Sequence, residues 1–433
     1  MKTIDYQQGC FAADLEQLLR RTPVPAEIHD AVATILRDVE QRGDAAISEY
    51  AAKFDKVDLS PDQFQLTDGE IEAACELVAA STRDAIDLAY RNITVFAEQR
   101  RVEDWSFSPR PGVSLGERFR PLSRIAAYVP GGAAPLVSTV IHTIAMARVA
   151  GVAEIAVTSP ATAGGTINPA IVYAAITAGA TEIYRLGGVY AIAALAYGTE
   201  TVRPVEKIVG PGNAYVTAAK KQVYGTVALD LVAGPSEVMI IADQSASPAF
   251  IAADMLAQAE HGSGLEKAVL LTDFEPLIEK VVKEVRSQAE QLGRGEAVQA
   301  VLDNGIYLVR LESIEQAVDV ANRYAPEHLE IMTETPRDTA AGIVAAGAIF
   351  LGPWTPEPVG DFVAGPSHVL PTGGTARFFS GLTVDQFYRR TSIVEYDRDA
   401  LAAEADAVAE FSRVEELDAH GRSVAIRFTD NTR

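Results

Sequence analysis

Cysteine is almost missing from this chain: Cys10 and Cys75 are the only two in 433 residues. They stand too far apart to form a C-x-x-C redox or zinc motif. Cys75, inside the helix-like run E-I-E-A-A-C-E-L-V-A-A, reads as buried filler. No apolar run is long enough to span a bilayer, and no basic stretch followed by an apolar one opens the chain. A soluble, cytoplasmic protein is therefore expected. Positive charge is in deficit, with 37 Lys and Arg against 59 Asp and Glu and a formal net charge of -22. This argues against nucleic-acid and anionic-membrane partners, which need a basic face.

What is present is a long chain, 48% hydrophobic, able to bury a large core in two or three domains. From about residue 124, short β-branched runs alternate with Ala-rich helical runs. R-I-A-A-Y-V, E-I-A-V-T, E-I-Y-R-L, K-I-V and A-L-D-L-V read as strands. The pattern restarts with E-V-M-I-I-A-D, K-A-V-L-L-T-D, I-Y-L-V-R-L, H-L-E-I-M-T and A-I-F-L-G. Alternation at βαβ spacing predicts parallel sheets covered by helices. The expected fold is α/β, with two doubly wound, incomplete Rossmann-like parallel-sheet domains. Residues before about 123 read mostly as helices, and the tail from about 381 as a small arm. Residues 352–374 are rich in Pro and Gly, and an ordered loop of that kind is more often functional than a linker.

Histidine is sparse too, with six residues, yet four fall in the last two-fifths beside polar or ionisable neighbours. Gln258 and His261 are three apart in a helical stretch and share a face, so they suit one ion; a polar helix face is the plain alternative. Asp361 and His368 share the irregular loop, where a carboxylate and an imidazole can be aimed into a cleft or can simply form a turn. Glu327 and His328 adjoin at the end of a helix and the start of a strand. They are placed for proton transfer, or for no more than a charge pair at a helix end. Glu415 and His420 lie near the C-terminus. Two glycine turns, Y-V-P-G-G-A-A-P and I-V-G-P-G-N-A-Y-V, follow strands and suit an anionic ligand, although neither is a complete G-x-G-x-x-G.

Together these segments resemble the histidinol dehydrogenase family, from about residue 25 to the end. The motifs that carry the likeness are Y-V-P-G-G-A-A-P-L, G-P-G-N-A-Y-V-T-A-A-K, A-G-P-S-E-V, A-Q-A-E-H-G, A-P-E-H-L-E-I, G-D-F-V-A-G-P-S-H-V-L-P-T-G-G-T-A-R and A-H-G-R-S-V-A-I-R. The resemblance implies zinc-dependent oxidation of L-histidinol to L-histidine through the aldehyde, with reduction of two NAD. It implies Gln258, His261, Asp361 and His420 as zinc ligands, with His420 supplied by the other subunit of a homodimer together with Glu415. Glu327 and His328 are implied as the proton-transfer residues. Ser236, His368 and Glu415 are implied as substrate contacts beside the ligands and His328, and Tyr128, Tyr190 and Asn213 as cofactor contacts. The implied division is an N-terminal segment 1–24 and a zinc-bearing catalytic domain from 25–123 and 236–380. Residues 124–235 form an inserted cofactor domain and 381–433 a dimerisation arm. Three departures stand out: Tyr190 where the family has Gln, His142 in an altered helix, and Ser367 where Asn is usual before His368. The other readings are a relative acting on a different polar alcohol, such as a sulfonated diol, and a non-catalytic small-molecule-binding α/β protein.

Overall fold

The computed structural model describes residues 1–20, 25–131, 135–261, 263–293 and 295–429. Part of the first glycine turn and Gly262 of A-Q-A-E-H-G thus lie outside the described residues. The chain divides into two compact units, one of residues 1–100 and 122–387 and the other of 101–121 and 388–433.

The first unit holds both expected parallel sheets. One has five strands, across the sheet Glu182–Tyr184, Glu154–Thr158, Arg124–Tyr128, Lys207–Val209 and Ala228–Leu229. The other has six, in the order Lys2–Asp5, Ile306–Arg310, Lys267–Thr272, Glu237–Ala242, His328–Met332 and Ala348–Leu351. Every pairing in both is parallel. Numbered from the first strand of each Rossmann-like run, both sheets follow the order 3-2-1-4-5, with Lys2–Asp5 added at one edge of the larger. The central strands are apolar without alternation, as in E-V-M-I-I-A, where all positions are buried. That is what helices on both faces require.

The helices between them follow ordinary start and stop chemistry. Asn168 caps Pro169–Ala178, which ends at Gly179 with φ of 96°. Asn213 caps Ala214–Val223 by accepting from the Tyr215 and Val216 amides. Helices Ala26–Arg42 and Asp44–Tyr50 pack with the five-stranded sheet's helices in one apolar cluster that includes Val32, Leu36, Ile47, Tyr190 and Val216.

The N-terminal third is not wholly helical. Lys2–Asp5 is a strand paired with Ile306–Arg310. Trp105–Arg110 and Val113–Pro121 form a hairpin that pairs with Tyr388–Tyr396 as an antiparallel three-stranded sheet. That sheet, with helices Arg398–Val414 and Asp418–Ala425, makes the second unit. Among the described residues no helix is long and apolar enough to cross a membrane.

Candidate active site

The site is assembled at the amino ends of strands in the six-stranded sheet, not at their carboxyl ends, where ligands of open α/β sheets usually sit. His328 opens the strand His328–Met332, and its neighbour Glu237 opens Glu237–Ala242. The two strands pair side by side, so Ser236, Glu327 and His328 reach the same edge. Helix Pro248–Ala259 runs back from the far end and brings Gln258 and His261 to it. The short helix Glu357–Phe362 adds Glu357 and Asp361. A pocket of about 590 Å³ is lined here by Ser236, His261, Glu327, His328, Asp361 and His368, with Ser138 and Thr139 from the helix after Arg124–Tyr128.

His328 is 2% exposed and is ringed by acids. Its Nδ1 lies 3.1 Å from the Glu237 carbonyl oxygen. A carbonyl only accepts, so Nδ1 carries the proton of a neutral ring. Glu357 Oε1 and Glu327 Oε2 stand 3.6 and 3.7 Å from the same nitrogen. Nε2 faces Asp361 Oδ1 at 3.5 Å, beyond a good hydrogen bond, and has no hydrogen-bond partner among the described residues. Burial disfavours the imidazolium, but Glu357, Glu327 and Asp361 outweigh it and raise His328 well above the ordinary histidine range.

The acids show the same crowding. Burial pushes the Glu327 carboxyl up to about 8, against the pull of His328 and of the Glu237 amide, which donates to Glu327 Oε2 at 2.9 Å. Burial likewise raises Glu357 to about 8. Behind them, burial and Asp254 raise Glu330. Asp361 alone moves down: burial opposes its ionisation, but His328, His368 and His261 hold it at about 2. The pocket thus crowds together more acidic groups than it has bases to neutralise them, and a bound cation would relieve the burial that keeps them protonated.

A second observation points the same way. Gln258 is fully buried, and neither Oε1 nor Nε2 has a hydrogen-bond partner among the described residues. A buried amide left so is costly unless a ligand satisfies it. His261, Glu357 and Asp361 each offer a ligand atom within 4.8 Å of the others. Of the residues expected to bind metal, Gln258, His261 and Asp361 belong to the first unit. His420, on helix Asp418–Ala425, and Glu415 belong to the second, and both are exposed. The sequence reading missed Glu357. Its signal was faint: a single acid in T-P-E-P, four residues before Asp361 in a Pro-rich loop.

His368 is fixed from both sides, its Nδ1 2.9 Å from the Asp361 carbonyl and its Nε2 3.1 Å from Thr139 Oγ1. His142 stacks on it with ring centroids 4.3 Å apart, and Ser367 donates to the His142 carbonyl. Two of the three departures therefore meet behind one substrate-contact candidate. The third, Tyr190, is 1% exposed, so its ring is closed to stacking on a cofactor. Its hydroxyl donates to Asp55 and accepts from the Gly187 amide. Tyr128 accepts from the Gly188 amide beside it, and Asn213 is exposed at the start of its helix.

Known proteins match nearly the whole length of this chain. A family model described as histidinol dehydrogenase matches residues 19–428. The histidinol dehydrogenase of Geobacillus kaustophilus is 45% identical over 92% of this chain and 93% of its own length. That of Rhizobium meliloti is 44% identical over 98% of each. The crystal structure of histidinol dehydrogenase from Elizabethkingia anophelis superposes with a TM-score of 0.92 at 37% identity, covering 99% of this chain and 98% of that one. Matches of this length and identity in both sequence and fold leave one assignment: the chain belongs to the histidinol dehydrogenase family.

Proposed function

We propose that this protein oxidises L-histidinol to L-histidine through L-histidinaldehyde, reducing two NAD, as the last oxidation in making the amino acid. The observation that carries this reading is the adjacent pair Glu327 and His328 on one pocket wall, beside a donor set that suits a divalent cation. A binding protein has no need of two such side chains. Gln258, His261 and Asp361 would hold zinc, joined by His420 of the partner subunit in a homodimer. Glu415 of the partner subunit, with Ser236 and His368, would hold the substrate. Bound there, zinc supplies the Lewis-acid charge that orients the amino alcohol, and NAD supplies the hydride acceptor.

The remaining work belongs to the chain's own groups. His328 keeps its Nδ1 proton on the Glu237 carbonyl, so it is in the neutral form of the ring that the Nε2 lone pair takes the proton from the substrate hydroxyl. The aldehyde must be hydrated before it can lose a second hydride, and Glu327 in its ionised form removes the proton of the attacking water. The Glu237 amide on Oε2 fixes that carboxylate. Tyr128 and Asn213 border the turns where the cofactor would lie, and Tyr190 holds the Gly187 amide and Asp55 at the neighbouring strand end. The two free cysteines, one of them exposed, suit the reducing cytoplasm.

The test is the yield of NADH from limiting L-histidinol with zinc-loaded protein and excess NAD. Two NADH per substrate, with histidine as product, are expected. Turnover of another polar alcohol but not of histidinol would overturn the substrate assignment. Binding of histidinol with no NADH from any alcohol would overturn the enzyme assignment.

A further inference from the structure

The five-stranded sheet has the strand order of a dinucleotide-binding fold. In such folds a carboxylate beyond the second strand holds the ribose next to adenine. Here the second strand is Glu154–Thr158, and the stretch after it, S-P-A-T-A-G-G-T-I-N, contains no acid. An acid arrives from another part of the chain. Asp55 ends the short helical turn Ala51–Asp55. A Cβ on Gly187 would stand 2.6 Å from Pro160 Cβ and 3.0 Å from Asp55 Oδ2. Pro160 follows the second strand and Gly187 the third, so Asp55 sits at the carboxyl tips of both.

This carboxylate is held in place. The Tyr190 hydroxyl donates to Oδ2, and the Tyr190 ring stacks on Tyr50 with centroids 6.4 Å apart. Among the described residues, Oδ1 accepts no hydrogen bond. A second polar group marks the same edge: Ser159 Oγ is fully buried and has no hydrogen-bond partner among the described residues. It lies beside Gly131, where a Cβ would come within 2.8 Å of it, on the turn after the first strand. The edge thus carries a fixed acid and an unpaired hydroxyl between the first and third strands.

We propose that Asp55, positioned by Tyr190, binds the hydroxyls of the adenosine ribose and so selects NAD over NADP. This rests on the dinucleotide-dependent reading given above. The free carboxylate oxygen accepts from a ribose 2′-hydroxyl, whereas a 2′-phosphate meets like charge. It also gives Tyr190 a purpose that its burial denies it as a stacking residue.

Fluorescence titration with NADH and NADPH tests the proposal on the zinc-loaded protein. Asp55→Asn should weaken NADH by about tenfold, the effect of losing one hydrogen bond to a charged group, and should narrow the preference for NADH over NADPH by at least as much. Tyr190→Phe should give an intermediate shift, with zinc content unchanged in both variants. In the unaltered protein, 5′-AMP should displace NADH while adenosine 2′,5′-bisphosphate should not. This competition decides the matter even where Asp55→Asn fails to fold. An unchanged preference in folded Asp55→Asn, or equal displacement by both nucleotides, would overturn the assignment of Asp55 alone. If the unaltered protein binds neither dinucleotide, the dinucleotide reading falls with it.

Discussion

Replacing Gln258 by Met should make the metal-free protein more stable and remove most of the stability that zinc adds. Gln258 is fully buried at the end of helix Pro248–Ala259, and its amide oxygen and nitrogen both lack hydrogen-bond partners among the described residues. A buried amide in that condition costs about 1–3 kcal/mol of stability. Met is unbranched and of similar volume, so the replacement leaves little cavity and removes the polar cost. Without metal, chemical denaturation should therefore show a gain of about 1–3 kcal/mol. Zinc should then add less. A ligand held at a hundredfold its dissociation constant stabilises by about 2.7 kcal/mol, and most of that increment should vanish with the amide oxygen. The assay is a pair of denaturation curves for each protein, with chelator and with excess zinc. A metal-free variant that is destabilised, together with an undiminished zinc increment, would refute the argument: Gln258 would then be a satisfied core amide and no ligand.

Four further changes test other parts of the structure. Arg124 is 8% exposed along its side chain and bridges the starts of three adjacent strands, bonding Glu182 at 2.7 Å and Glu154 at 3.0 Å, so Arg124→Met should cost about 3–5 kcal/mol in urea denaturation. Burial opposes ionisation of Glu182, but Arg124, Tyr184 and Arg203 hold it at about 2 against an ordinary 4.5, so its stabilisation is complete above pH 4.5 and is lost as pH falls toward 2; Glu182→Gln should remove about 3 kcal/mol of that acid sensitivity. Lys220 donates to the Gly210 carbonyl and pairs with buried Asp230, which accepts from the Gly210 amide; Lys220→Met should cost about 3–5 kcal/mol, and adding Asp230→Asn should recover part of it. Thr139→Val removes the partner of His368 Nε2 and should raise the KM for histidinol about tenfold with zinc content unchanged.

Most strands were legible because a sheet buried on both faces needs continuous apolar runs, and K-A-V-L-L-T or E-V-M-I-I-A can hardly be anything else. The misses were strands whose burial is partial. Trp105–Arg110 has no buried position, and Lys2–Asp5 is a four-residue edge strand with a single buried residue. Neither has the apolar run that reveals a central strand. The site was legible where its residues adjoin in sequence, as in Glu327 and His328. Glu357 escaped because a lone acid between two prolines reads as a turn. Asp55 escaped because F-D-K at a helix end has no chemical signature of its own, and its meaning comes only from Pro160 and Gly187, more than a hundred residues away.

The use of opposite edges in the two sheets follows from the polarity of their helices. Both have the 3-2-1-4-5 order, yet the glycine turns lie beyond the carboxyl ends of the five-stranded sheet and the acid-rich pocket lies at the amino ends of the six-stranded one. In a βαβ unit, helices begin at the carboxyl edge and end at the amino edge. The carboxyl edge therefore presents helix amino termini, where partial positive charge favours a pyrophosphate. The amino edge presents helix carboxyl termini, where partial negative charge favours cations. Helix Pro248–Ala259 ends at the Gln258–His261 segment, and helix Ile314–Tyr324 ends just before Glu327. One strand order, with its two edges of opposite helix polarity, thus gives one edge that favours anions and one that favours cations without a separate device for either. Thr139 shows how they meet, since it stands on the helix that follows the first glycine turn and its hydroxyl touches His368 of the acid-rich pocket.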